Sequence, residues 1–348
     1  PGNAYWQQRA DYVMNITIDD ATQTLMGEET ITYYNESPDA LNYLWLQLDQ
    51  NAFAKTSDTY SVEQMKIGES VSYNDLIDLN PWYDGGFKLD YITDANGKPL
   101  PYTVNKTMMR IDMAQPLKPG GTFVFKIKWW YTINDRIRLG GRSGYEYFEE
   151  DGNYLYTMAQ FFPRMVVYCD NQGWQHKQFL GSGEFTLNFG NYDVRITVPA
   201  DHIVASTGVL QNGKEVLTAE ELKRFTAAKT SDEPVLIVTQ EEAEKKEKNK
   251  ETKKTKTWHF KAENVRDFAF ANSRKFIWDA QAVKVGTNTP LAMSFYPKEG
   301  NPLWGQFSTR VVAHTLRSYS KHTIDYPYPV AISVHTKWMG MEYPMICF

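Results

Sequence analysis

Apolar and polar residues alternate with period two along much of the first half of the chain, which predicts strands rather than helices. Residues 12–18 read as a strand, Asp19-Asp20 as a turn and residues 25–34 as the hairpin partner. Asn35-Glu36-Ser37-Pro38 breaks the chain before another strand at 43–48. Asn96-Gly97 marks a hairpin, since both residue types tolerate positive φ. After Pro119-Gly120-Gly121, the residues Phe123, Phe125, Ile127 and Trp129 fall on one face, with Lys126 and Lys128 on the other. Tyr192, Val194, Ile196 and Val198 repeat the pattern up to Pro199. Many short strands with Gly and Pro turns between them predict a mainly β fold, an antiparallel sandwich or saddle-shaped sheet.

Further along, residues 235–239 and 257–261 read as strands. The Glu- and Lys-rich run 241–256 between them mixes both signs of charge and reads as a solvated hairpin tip. After Ala280 the texture changes. Residues 292–296 suit a strand, and Asn301-Pro302 opens a helix with an N-cap residue and a proline at the first turn. Phe307, Val311, Val312, Leu316 and Tyr319 then recur at helical spacing, and Asp325-Tyr326-Pro327-Tyr328-Pro329 ends the element. Strands at 330–336 and 345–348 flank Trp338-Met339-Gly340-Met341-Glu342-Tyr343-Pro344. The organisation is a β-rich domain over 1–279, followed by the beginning of an α/β domain over 280–348.

Composition narrows the function. At 348 residues, 42% apolar and 14% aromatic, the chain can bury sizeable cores. A formal charge of −5 argues against a nucleic-acid partner, which calls for a basic excess. No run has the apolar length of a transmembrane segment. Cys169 and Cys347 make no disulfide framework and read as free buried thiols. Pro1-Gly2-Asn3 is not a signal peptide; a periplasmic or secreted address is the expectation, with any targeting segment already removed. Oligomeric state is not encoded in any pattern seen here.

The candidate chemistry centres on Glu342, the lone acid of its loop, standing among methionines and aromatics that would partly exclude water. A carboxylate there favours a cation, and a substrate ammonium group could supply one. Gly340-Met341-Glu342-Tyr343-Pro344 resembles the Gly-x-Met-Glu-Asn loop of the aminopeptidase N family of zinc metallopeptidases, the gluzincins. Met339 stands at the family's first glycine and Tyr343 replaces the asparagine. Met158-Ala159-Gln160-Phe161-Phe162-Pro163-Arg164 is similar to that family's N-terminal domain, most like the bacterial members. So are Trp174-Gln175-His176-Lys177-Gln178-Phe179-Leu180-Gly181-Ser182-Gly183-Glu184-Phe185 and Tyr192-Asp193-Val194-Arg195-Ile196-Thr197-Val198-Pro199.

The resemblance implies a thermolysin-like catalytic domain begun at 280, a zinc cofactor and peptide substrates with a free N-terminus. It implies that Glu342 captures the terminal ammonium, that Gly340 and Met341 lend backbone groups to the cleft, and that Gln160 meets the amine and first side chain. The family's His-Glu-x-x-His, which sets two imidazoles one helical turn apart, is absent. His314 and His322 share the helix but stand two turns apart, roughly 12 Å along the axis. Zinc ligands are therefore expected beyond residue 348. Catalytic and metal residues are expected to be none within the chain, which alone would be inactive. The alternative is a non-catalytic β-sandwich binding or scaffold module of the same family; a carbohydrate-binding sandwich has only aromatic richness behind it.

Other features read blandly. Arg164 and Asp170 suit a structural pair, residues 139–144 a flexible loop rather than a phosphate loop, and Ser182 lacks a nucleophile elbow. Glu184 and Asp193 read as solvent-facing acids, and His176 and His335 as structural histidines.

Overall fold

The computed structural model describes residues 2, 5–59, 70, 83–251, 253–337 and 340–348, so Trp338 and Met339 lie outside the described residues. Strands form where the alternation predicts them. Arg9–Asp19 and Thr24–Tyr34 make the expected hairpin, and Thr24–Tyr34 pairs antiparallel with Thr122–Thr132. Phe125, Ile127, Trp129 and Tyr131 are buried along one face of that last strand. These strands belong to a seven-stranded sheet completed by Lys88–Asp94 at one edge and by Gly190–Pro199, Thr255–Val265 and Val209–Leu210 at the other.

Gly190–Pro199 runs parallel to Arg9–Asp19, so the sheet is not wholly antiparallel. The two strands are joined by a long excursion rather than a tight turn, and such a connection permits either sense. Facing this sheet is a four-stranded one containing Leu41–Gln47 and Met108–Leu117. Met14, Ile31 and Ile127 from the first meet Leu44, Met109 and Ile111 from the second in one continuous core. Tyr12 ties the layers together: its ring meets Phe162 edge-on and its hydroxyl accepts from the Met165 amide at 3.0 Å.

Two further sheets carry the chain to its end. Asn153–Met158 lies between Gly144–Phe148 and Phe270–Ser273 in a four-stranded sheet. A six-stranded sheet runs Val235–Val238, Ile277–Ala282, Leu291–Tyr296, Val330–Val334, Ile346–Cys347, Glu342–Tyr343. Ile277–Ala282 straddles the boundary expected at 279/280, and Val235–Val238 joins the same sheet from well upstream.

Several expectations need correction. Residues 241–256 are not a hairpin tip: Gln240–Asn249 is a helix, opened by a capping box in which the Thr239 hydroxyl accepts from the Glu242 amide. Glu242 answers by accepting the Thr239 amide at 2.9 Å. The long helix Leu303–His322 forms as predicted, yet it buries Thr309, Ala313 and Leu316 and leaves Phe307, Val311 and Tyr319 exposed. Apolar residues occupy two of its faces, and the sheet covers one. Asn96-Gly97 does turn the chain back on itself, with Gly97 at φ +82° and Thr93 bridged antiparallel to Pro99, before the next strand, Tyr102–Asn105, enters a different sheet. The thiols are free but not buried: Cys169 is half-buried and Cys347 exposed.

Candidate functional site

Glu342 is positioned by a short hairpin at the edge of the six-stranded sheet. Glu342–Tyr343 pairs antiparallel with Ile346–Cys347, which lies parallel to Val330–Val334. Met345 turns the hairpin at φ +65°, and the Thr207 hydroxyl holds the turn by donating to the Pro344 carbonyl at 3.0 Å. Gly340 adopts φ +98° with open space where a side chain would project. Its backbone angle, rather than close packing, is what demands glycine. The Gly340 and Met341 amides both donate to the Phe348 carbonyl, and the Met341 carbonyl accepts from Phe348. Those groups are engaged in the hairpin, and the Met341 sulfur takes a long contact of 3.7 Å from Arg136 Nη2.

Gln160 reaches the same place from the other side of the fold. It follows Asn153–Met158 and sits at φ +53°, a left-handed conformation costly for a residue with a side chain. Its carbonyl accepts from Gln50 Nε2 at 3.4 Å. It is 5% exposed, and its side-chain amide has no partner among the described residues. Gln160 and Glu342 both line one cleft of about 320 Å³, together with Arg142, Arg164, Glu184, Arg266, Asp267 and Tyr343. Gln160 and Arg142 also border an adjoining cavity of about 520 Å³, walled by Phe53, Leu139, Phe179 and Leu180.

Glu342 itself is exposed rather than sheltered, because the loop residues pack inward around Tyr343 and leave the acid at the rim. Among the described residues its carboxylate has neither an ion-pair nor a hydrogen-bond partner. The remaining charges are mostly committed. Arg164 is buried, donating from Nη2 to Asp49 at 2.7 Å and to Gln47 at 3.3 Å, and from Nη1 to Asp267 at 2.5 Å. Burial opposes its charge, but Asp267 and Asp49 outweigh that and hold the guanidinium firmly protonated. Burial likewise pushes the Asp267 carboxyl up while Arg164 pulls it back; with the ion pair this short, we take both as charged. The expected Arg164–Asp170 pairing is thus replaced by partners far away in sequence.

Arg142 pairs with Glu184 at 3.0 Å and donates to the Gly183 carbonyl at 3.3 Å. The loop 139–144 is accordingly a wall of both cavities. Tyr343, where the resemblance expects asparagine, is largely buried, and burial pushes its hydroxyl well up while the nearby Arg164 and Arg142 draw it down. His176 stacks on Trp45 and holds the Trp174 carbonyl, and His335 packs against Trp304; neither lines the cleft. Sequence reasoning missed Arg142, Arg266, Asp267 and Asp49. Their proximity comes from strands distant along the chain, which no local pattern records.

The sequence matches no protein-family model and no curated protein. Solved structures do match. A two-domain M1 zinc metallopeptidase mutant bound to L-tryptophan is similar over 99% of this chain and 61% of its own, with 15% identity and a TM-score of 0.57. An M1 zinc metallopeptidase mutant from Deinococcus radiodurans bound to a Tyr-Ser-Ala substrate gives 98%, 60%, 15% and 0.57 in the same order. The shared property is the fold. The mainly β architecture matches the N-terminal β domain of these peptidases, and the chain spans about three fifths of each structure.

Zinc can be tested against the residues present. Among the described residues no group of three His, Cys, Asp or Glu side chains could hold a metal ion. The chain's described donor set therefore does not fit zinc, and no step through a metal is assigned to it.

Proposed function

We propose that this chain is the N-terminal portion of a zinc-dependent metallo-aminopeptidase, with the role of gripping a peptide's free amino terminus. Zinc ligands, on this reading, belong to residues beyond Phe348. The observation that carries the proposal is that the Glu342 carboxylate lines the same cleft as the side-chain amide of the buried residue Gln160, neither having a partner among the described residues. An incoming ammonium donates to the Glu342 carboxylate and to the Gln160 side-chain oxygen, satisfying both. Gln160 is fixed by its backbone conformation, so little ordering is needed when the ligand arrives. The adjoining cavity with its Phe53, Phe179 and Leu180 walls takes the first side chain. A capped amine cannot make the charged contact, which fixes recognition to the chain end. The fold shared with M1 zinc metallopeptidases supports the reading, as do the substrate and amino acid carried by those relatives.

The test is Glu342→Ala in the intact enzyme. Terminal-amine selectivity and rate on aminoacyl substrates are expected to fall together. Unchanged kinetics on free-amine substrates removes the proposal. A scaffold of the same fold is the outcome favoured if the reading frame after Phe348 carries no His-Glu-x-x-His.

A further inference from the structure

The cleft holds one more uncommitted charge. Its three arginines and three acids do not all pair: Arg164 is taken by Asp49 and Asp267, and Arg142 by Glu184. Two groups are left, Glu342 and Arg266. Arg266 meets no carboxylate among the described residues, yet its guanidinium is held in place. Nη1 donates to the Thr186 hydroxyl at 2.9 Å and the Leu187 carbonyl at 3.1 Å, and Cζ lies 4.3 Å from the centre of the Phe189 ring. Those contacts use one end of the fork and one face of its plane. Nη2 and Nε have no partner among the described residues and can offer the paired donors that suit a carboxylate.

We infer that Arg266 binds a carboxylate carried by the same small ligand whose ammonium meets Glu342. The cleft thereby selects zwitterionic peptides. A free anion and a held free cation in one cleft, not paired with each other, match a molecule with both charges. The carboxylate has two sources of the same chemistry: the C-terminus of a dipeptide, or the side chain of an N-terminal Asp or Glu. An extended dipeptide spans about 7 Å, and Glu342 and Arg266 line the same cleft. The inference rests on the amine-anchoring reading of Glu342 and adds to it a residue that chooses among free-amine ligands.

Calorimetric titration of the intact protein, kept from turning over by a chelator, with four peptides tests it: Ala-Ala, Ala-Ala-amide, Glu-Ala-amide and acetyl-Ala-Ala. Either Ala-Ala or Glu-Ala-amide is expected to bind about tenfold or more tightly than Ala-Ala-amide, and which one does so identifies the source of the carboxylate. Arg266→Gln is expected to erase that preference while acetylation still weakens binding, which also shows that the variant is folded. Equal affinity for the three free-amine peptides, with acetylation still harmful, overturns the role of Arg266 and leaves the amine reading standing. Indifference to acetylation, or no binding of any peptide, overturns both.

Discussion

Glu29 is among the least exposed residues of the fold. It sits in the middle of Thr24–Tyr34, 1% exposed, with Met14 and Ile127 opposite it on the neighbouring strands, both fully buried. Both carboxyl oxygens are buried without a partner among the described residues, and burial alone raises its pKa well above the usual carboxylate value. The folded protein therefore keeps a proton that the unfolded chain gives up near pH 4 to 5. Folding stability from this group is complete below the unfolded pKa and is lost as pH rises toward the folded one. Within that window the loss is about 1.4 kcal/mol per pH unit. Glu29→Gln removes the titration and keeps the shape. Relative to wild type it should gain about 1.4 kcal/mol for each pH unit above the unfolded carboxylate range until the raised folded pKa is reached, read from urea midpoints at fixed pH. Glu29→Met also removes the unsatisfied polar atoms and should add about 1–3 kcal/mol on top. A stability difference that does not change with pH, or a destabilised Gln variant, would refute the account of a buried neutral acid.

Arg164→Leu leaves Asp49 and Asp267 buried without their cation and should cost about 3–5 kcal/mol, seen as a lower urea midpoint and lost secondary-structure signal on warming. Thr239→Ala removes half of a capping box and should cost about 1 kcal/mol, with hydrogen exchange faster in Gln240–Asn249 than elsewhere. A uniform change across the chain would instead mean that the helix is not a local unit.

Much of the strand framework was legible because each strand buries one face, and burial writes a period of two into the sequence. Phe125, Ile127 and Trp129 show it, as do Val194, Ile196 and Val198. The helix at Gln240–Asn249 was also legible, through Thr239-x-x-Glu242, but its charged surface hid it. A helix that buries only Ala243 and Glu247 has almost no apolar stripe to announce it. The parallel pairing of Arg9–Asp19 with Gly190–Pro199 left no trace, since register between distant strands is set by the whole core. The cleft divides in the same way. Gln160 and Glu342 came from resemblance and meet in one cavity, whereas the pairing state of Arg164 and Arg266 depends on partners that only folding brings near.

The central claim is that Glu342 holds a peptide's ammonium group, and binding of Phe-Ala-amide against its N-acetyl form measures that most directly. Wild type should prefer the free amine by about tenfold or more, and Glu342→Gln should bind the two forms nearly alike. A preference for the free amine that survives in Glu342→Gln, or no preference in wild type, would contradict the account.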